Sequence, residues 1–530
     1  MRIDKLKIAS FKNLVDFEIT FDKNLLTSVF IGKNGAGKSN LIEALIIIFR
    51  DLDLNIQTKE FSYEIYYKCL DNYIHIISNY ESKKREFFIK KELTEKEEKC
   101  SVQKFYEKHA DYLPAHVFTY YSGPSNRFEK LFSKHQRKFY EALLKPDEDK
   151  EKDEEKIRPL FYARLIHSNF VLLAFFSSFD ENNQQFLRNY FDIGSVESIL
   201  FVLHKANWVK NIKGNEYRKE EFWGARGEVR RFLDNLYQKA LAPIKEYIKV
   251  NDGFKTINKE VIYLFIKDQK TLEEFTKNQN YKDNNVDFFK DLESIYLSDL
   301  LEEIRIKVKK TDGTIITFNE LSEGEQQLLI VLGLLKFTKS KESLFLLDEP
   351  DTHLNPSWKL NYLKLIQEIA GLSDYNENSQ VIISTHDPIL IGGLKKEAVI
   401  IFEHGEKGTV VKHPAVDPKG MGVAGMLTSD LFELPSTLDP DTQAELDRKR
   451  QLQFKTNKSQ QEIQELEQLE KEFENYGIGR TTRDPLYDKF IERLYSREEF
   501  QNRPIRDDER KEMTSLMDEI LSELKNEENK

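Results

Sequence analysis

The chain has 530 residues, 39% hydrophobic and 32% charged, a composition that supplies a sizeable core and excludes wholesale disorder or a small stapled scaffold. Eighty basic residues against 91 acidic ones leave a formal net charge of −11, which excludes a non-specific nucleic-acid coat and leaves only a local basic patch for such contacts. Cys69 and Cys100 are the only cysteines, too few for a disulfide framework or an all-thiolate metal site and in keeping with a reducing cytosol.

Met1-Arg2-Ile3-Asp4 lacks the layout of a signal peptide. Alternation through Ile3, Leu6 and Ile8, then Phe17, Ile19 and Phe21, predicts two strands joined by a turn. Ser28–Ile31 reads as a short buried strand, followed by a glycine loop and a buried helix over the apolar run Leu41–Phe49. Strand patterns recur at Tyr73–Ile77, Phe87–Ile89 and His116–Tyr121, the last ended by Ser122-Gly123-Pro124. The charged run Lys145–Lys156 predicts a solvated linker or helix end. Beyond it, 157–300 is mostly helical in pattern, rich in aromatics and without sustained heptads. Its most apolar part, Leu160–Phe176, contains Arg164, His167 and Asn169, which are costly in a bilayer, so a buried helix is expected there and no membrane span. Ile304–Val308 reads as a strand. Apolar runs at Leu344–Leu347, Val381–Ile383 and Val399–Phe402, separated by helical stretches, predict parallel strands of an α/β sheet. After about 415 the chain turns polar and helical, with Ile463, Leu466, Leu469 and Phe473 on one face of a short amphipathic helix. No internal repeat is apparent. A cytoplasmic location is expected.

Gly32-Lys33-Asn34-Gly35-Ala36-Gly37-Lys38-Ser39 matches the phosphate-binding loop pattern in full, between an apolar strand and a helix as the mechanism requires. The glycines let backbone N–H groups close on phosphate oxygens, and the helix N-terminus adds partial positive charge. Lys38 then reaches the β- and γ-phosphates and Ser39 ligates Mg²⁺. Leu344–Leu347 ends in Asp348 and Glu349, the first placed to hold Mg²⁺, the second to orient or deprotonate an attacking water. Ser322 and Glu325 form a capping box ahead of an apolar helix. The same helix end can also aim Ser322 and the Gly324 backbone at a γ-phosphate.

These motifs together resemble the RecF/SMC-like group of ATP-binding-cassette-type ATPases. The resemblance is carried by Gly32-x-Asn34-Gly35-x-Gly37-Lys38-Ser39-Asn40, Leu321-Ser322-x-Gly324-Glu325-x-Gln327, Asp348–Pro356 and Ser384-Thr385-His386-Asp387. It implies an α/β fold: a P-loop ATPase head formed by 1–145 and 301–415, a compact mainly helical insertion at 157–300, and a helical C-terminal region at 416–530. It implies ATP and Mg²⁺ as ligands. It also implies a homodimer or higher oligomer in which two heads sandwich two nucleotides, with Ser322 and Gly324 completing the opposite protomer's site. His386, at a strand end, is either structural or a switch residue on the γ-phosphate; the resemblance favours the switch. Lys12 and Asn13 correspond to an early loop that approaches nucleotide in relatives. The glutamine loop is a departure: Gln57 follows the P-loop too soon, and the strand ending at Tyr121-Ser122 offers no glutamine.

The whole pattern, including Tyr120–Gly123 and Asp484–Tyr487, is similar to the ATPase subunit of Septu-like anti-phage systems, some retron-associated and paired with an HNH nuclease. An ATPase that regulates a partner nuclease is therefore expected, with DNA or retron nucleic acid as a further partner. The alternative is a DNA-repair or chromosome-associated clamp ATPase that binds DNA itself, and a third reading is a nucleotide-dependent scaffold. Trp208–Lys213, Arg218–Trp223, Arg226, Arg230 and Arg231 interleave basic and aromatic residues, either to grip a nucleic-acid backbone or as a solvated helical face over buried tryptophans. Asp439 and Asp441 read as a structural turn, and the tail shows no nuclease cluster.

Overall fold

The computed structural model describes residues 1–91, 96–123, 125, 127–143, 159–177, 181–206, 221–252, 255–278, 285–338, 342–370 and 379–476. The charged run 145–156, the segment 208–220 and the tail 484–487 lie outside them. Eighteen described strands, β1 to β18 in chain order, form three sheets.

The central sheet has seven strands in the order β18-β17-β3-β16-β15-β8-β9. They are β3 (Thr27–Gly32), β8 (His116–Tyr121), β9 (Leu160–Tyr162), β15 (Ser343–Asp348), β16 (Ser379–Ser384), β17 (Val399–His404) and β18 (Thr409–Lys412). All neighbours pair in parallel except β18, which is antiparallel to β17. The three apolar runs thus form the expected parallel strands. Their lack of alternation follows from burial on both faces. Val29, Ile31, Phe345, Leu347, Val381 and Ile383 face one core, while Phe30, Leu344, Leu346 and Ile382 face another.

The second core is closed by the helix Lys38–Asp53 and by a six-stranded antiparallel sheet in the order β2-β1-β4-β5-β6-β7. Its strands are β1 (Arg2–Phe11), β2 (Leu14–Thr20), β4 (Tyr63–Cys69), β5 (Asn72–Asn79), β6 (Lys84–Lys90) and β7 (Glu98–Cys100).

The first core is filled by the segment expected to be mainly helical; helices hold the larger part of its described residues, but it also contributes three long strands that the pattern did not announce. Helices hold Ile166–Ser177, Glu181–Phe191, Gly227–Lys239, Gln269–Asn278 and Asn285–Leu297. Between them run β10 (Ile193–His204), β11 (Ile244–Asp252) and β12 (Lys255–Ile266). These join β13 (Leu301–Lys310) and β14 (Ile315–Thr317) in an antiparallel sheet of order β11-β12-β10-β13-β14. The apolar run at 160–176 also divides: Leu160–Tyr162 is strand, and the helix begins at Ile166. From His167 to Ser177 every residue of that helix is buried, as an all-round apolar helix requires. No described helix is long and apolar enough to cross a membrane.

The described residues from Pro435 onward belong to a second unit. Its described part is a hairpin of two helices, Pro440–Phe454 and Gln460–Asn475, closed by Leu452, Leu469 and Phe473. Ile463, expected on the buried face, is 44% exposed. Asp439 caps the first helix by accepting from the Thr442 N–H at 3.0 Å, which holds its carboxyl below the usual range. The turn before Pro440 is a helix start.

Candidate functional site

Gly32 ends β3 with φ +134°, and a Cβ there would lie 2.2 Å from the Phe402 carbonyl oxygen. Gly37 has φ +109°, and its Cβ would lie 2.7 Å from Thr409 Oγ1. Only glycine fits either position. The helix that follows starts without a side-chain cap and with no acid in its first turn. Its leading N–H groups and positive dipole end therefore face the loop, the arrangement that binds anions.

Lys38, the first residue of that helix, folds back over the loop and donates to the Gly32 carbonyl at 2.6 Å and the Lys33 carbonyl at 3.3 Å. Burial lowers its pKa, against the opposing pull of Glu349 and Asp348. Asp348 ends β15 and is fully buried. Burial pushes its carboxyl up, and the Ser384 and, more weakly, Ser39 hydroxyls hold it down. Ser384 Oγ donates to Asp348 Oδ1, whereas the buried Oδ2 has no hydrogen-bond partner. An orphaned, desolvated carboxylate oxygen beside a serine hydroxyl fits a hard divalent cation whose remaining ligands are phosphate and water. Among the described residues no group of three or more His, Cys, Asp or Glu side chains could hold a metal alone.

Glu349 sits at φ +55°, a conformation costly for a glutamate. It is held there by its N–H donating to the Ser384 carbonyl at 3.0 Å and by Thr352 Oγ1 donating to its carbonyl at 2.9 Å. The carboxylate stands 3.5 Å from His386 Nε2. The segment carrying His386 is fixed by Thr385 Oγ1 donating to buried Asp351 at 2.8 Å and by the Lys359–Asp387 ion pair. Burial pushes the Asp351 carboxyl up.

Asn13 donates to the Gly35 carbonyl at 2.8 Å, and Asn40 donates to Asn13 at 2.5 Å. Lys12 reaches Glu43, on the P-loop helix, at 2.6 Å. Arg127 was not foreseen. Its Nε donates to the same Glu43 at 2.7 Å, and its other arm reaches Asn40. Thr409 Oγ1, also unforeseen, donates to the Ala36 carbonyl at 2.8 Å and braces the loop from β18.

Ser322 and Gly324 have other partners. The capping box is closed: Ser322 N–H donates to Glu325 at 2.8 Å, and Glu325 N–H donates to Ser322 Oγ at 3.2 Å. Gly324 packs on the turn after Glu349, where a Cβ would lie 2.4 Å from the His353 carbonyl oxygen. Gln327 donates to the Pro350 carbonyl. Among the described residues no hydrogen bond joins Ser322 or Gly324 to the chain's own P-loop. Gln57 is outside the site and donates to Ser78 at 2.9 Å. Ser122, at the end of β8, donates its N–H to the Asp348 carbonyl at 3.3 Å. Trp223 is buried, Arg230 pairs with Asp234 and Arg231 with Glu228, which fits the solvated-face reading of that stretch.

The arrangement can hold a polyphosphate at a helix N-terminus, a cation at Ser39 and Asp348, and a water near Glu349. A family model described as an AAA ATPase domain matches residues 1–391, which include every one of these groups except Thr409. The chain belongs to the AAA ATPase domain family. It is an ATPase. It is 22% identical to a retron Vc95 probable ATPase of Vibrio cholerae over 463 residues, covering 81% of this chain and 78% of the relative. It is 25% identical to the Septu protein PtuA of Bacillus mycoides over 242 residues, 43% of this chain and a third (33%) of that protein's length. The DNA replication and repair protein RecF of Lactobacillus acidophilus shares 42% identity over 48 residues, 9% of this chain and 12% of that one. The expected kinship of this AAA ATPase domain with RecF-like, Septu and retron ATPases is thereby met.

Proposed function

We propose that two copies of this ATPase close around two nucleotides, and that the closure regulates a partner nuclease of the HNH type in anti-phage defence. The observation that supports the dimer is that Ser322 and Gly324 have partners other than the chain's own P-loop. Ser322 bonds Glu325, and Gly324 packs on the His353 carbonyl. A second copy would bring that helix end to the γ-phosphate. The names of the Septu and retron relatives support the defence setting. DNA or retron nucleic acid is a further partner in this reading.

On nucleotide binding, Lys38 exchanges the carbonyls of Gly32 and Lys33 for phosphate oxygens, for which its charge is the better partner. Ser39 and Asp348 would hold Mg²⁺, which would supply neutralisation of phosphate charge. Glu349 orients the attacking water and takes its proton. His386, within reach of Glu349, aligns that carboxylate and contacts the γ-phosphate. Asn34, Gly35 and Asn40 shape the loop around the phosphates.

Trans-complementation tests the dimer. Ser322→Arg and Lys38→Ala chains are each expected to be inactive alone and to regain one working site per heterodimer when mixed. A strict monomer by sedimentation with ATP, turning over at the full rate, overturns it. Purification from the native operon tests the partner: an HNH-type protein is expected to co-purify, and DNA cleavage by the isolated chain contradicts delegation.

A further inference from the structure

The face of the six-stranded sheet turned away from the P-loop helix carries side chains that the ATPase site does not use. Strand registers place Thr20, Lys5, Tyr66, His75, Phe88 and Lys99 opposite one another across β2, β1, β4, β5, β6 and β7. Directly opposed residues share a face, so this is one continuous row. Its three rings stack. Tyr66 and His75 have centroids 4.0 Å apart and nearly parallel at 12°, and His75 and Phe88 are 5.2 Å apart at 26°. A lysine stands at each end of the ring row, and Lys99 lies 5.9 Å from the Phe88 centroid.

A cavity of about 360 Å³ opens against this row, within the size range of small-ligand sites. Tyr66, His75 and Tyr73 line it with rings, and Lys5, Lys23 and Lys90 with amines. The register of β1 slips between Ile3 and Lys5, so a bulge at Asp4 interrupts the ladder beside the cavity; bulges of this kind often adjoin functional sites. Asp4 and Glu97 also line the space, but both acids already have cations. Asp4 accepts from Arg2 Nε at 2.8 Å, and Glu97 meets His75 Nδ1 at 2.9 Å and Lys90 at 3.5 Å. Lys5 is shared with Glu18 at 2.6 Å. What remains for an occupant is the open edge of the aromatic row, the Lys23 amine, and the donors that Lys5 and Lys90 keep beside Glu18 and Glu97.

We infer that this cavity is a second site for a nucleotide unit, a planar base with its phosphate, separate from the P-loop. Tyr66 and Phe88 cover the two faces of His75, so the row offers a base its edges; Tyr73, against which no described ring is stacked, offers a face, and Lys23 leads the amines that meet the phosphate. The same chemistry can come from a free mononucleotide or from the terminal nucleotide of a single strand.

The test uses the full chain carrying Lys38→Ala, so that the P-loop contributes little. Two photoreactive probes are compared: 5-iodouridine monophosphate, and a short single-stranded oligonucleotide ending in 5-iodouridine. Irradiation followed by peptide mapping is expected to place the cross-link at Tyr66, Tyr73 or His75. Cross-linking by the mononucleotide identifies a free ligand; cross-linking by the oligonucleotide alone identifies a strand end. Lys23→Glu, an exposed substitution, is expected to weaken binding of the active probe about tenfold with the melting temperature unchanged. Cross-links elsewhere, or none with either probe, overturn the inference whatever the behaviour of the variant.

Discussion

Two helix N-termini in this molecule face opposite tasks. The helix Lys38–Asp53 starts from a left-handed glycine, with no side-chain cap and no acid in its first turn. The helix Glu323–Thr338 starts with two acids in its first turn and a closed capping box between Ser322 and Glu325. Leading N–H groups left uncapped are donors awaiting an anion. Those of a capped helix are partly satisfied within the chain. The first helix end is therefore built to hold phosphate strongly, whereas the second has only a serine hydroxyl and a glycine backbone to contribute. That asymmetry predicts where substitutions will be severe and where they will be mild.

The largest effects belong to the first end and the carboxylates beside it. Glu349→Gln keeps the shape but removes the base, so turnover is expected to fall roughly 10²–10⁴-fold while ATP stays bound. Phosphate release and equilibrium nucleotide binding measure the two separately, and wild-type-like turnover would remove Glu349 from its role. Lys38→Ala should lose binding itself, because its ammonium has no substitute in the loop.

Next comes the backbone that opens the phosphate loop ahead of the first helix. Gly32→Ala must place a methyl 2.2 Å from a backbone oxygen at φ +134°, and neither strand can move without breaking the β3–β17 pairing. A loss of about 3 kcal/mol in denaturant unfolding is expected. A loss under about 1 kcal/mol would show that the loop relaxes and that the glycine is not required by sterics.

A smaller, graded effect follows from the two shifted ionisations. Burial lowers the Lys38 pKa in the free protein, and phosphate must raise it again, so affinity falls as pH climbs above that lowered value. Burial raises the Asp348 pKa, and a bound cation must lower it, so Mg²⁺-dependent affinity falls as pH drops below that raised value. Each limb approaches about a tenfold change per pH unit. Nucleotide titrations across pH check this: Asp348→Asn should abolish the acid limb and leave the alkaline one.

The same contrast explains what could be read from the chain alone. The P-loop, Asp348 and Glu349 each lie in a short window whose glycines or terminal carboxylates have one good use at the end of an apolar strand. The parallel strands were readable because burial on both faces makes them uninterrupted apolar runs. The five-stranded sheet was not. The run Val261–Ile266 in β12 is as compatible with a buried helix turn as with a strand, and β10 opens Ile193-Gly194-Ser195 rather than with a clear alternation. Which of them pairs with β13 is settled by tertiary packing. Arg127 escaped notice because its partner Glu43 is 84 residues away, and no local pattern marks a salt bridge of that span. Ser322 was readable as a cap, but that Gly324 beside it packs on the His353 carbonyl emerges only in three dimensions.

The mildest prediction concerns the capped end and bears most directly on the contrast. Glu325 holds Ser322 by accepting from both its N–H and its hydroxyl, each at 2.8 Å. Glu325→Ala opens the box and should cost about 1 kcal/mol of stability. It also releases the Ser322 hydroxyl and removes an acid that repels phosphate. If that hydroxyl serves a second copy's nucleotide, ATP-dependent dimerisation should be unchanged or tighter in Glu325→Ala and clearly weaker in Ser322→Ala. Analytical ultracentrifugation with ATP, in the Glu349→Gln background to prevent turnover, compares the two on equal terms. Equal weakening in both would mean that the intact cap is what the partner recognises, and that the two helix ends differ less than their hydrogen bonds suggest.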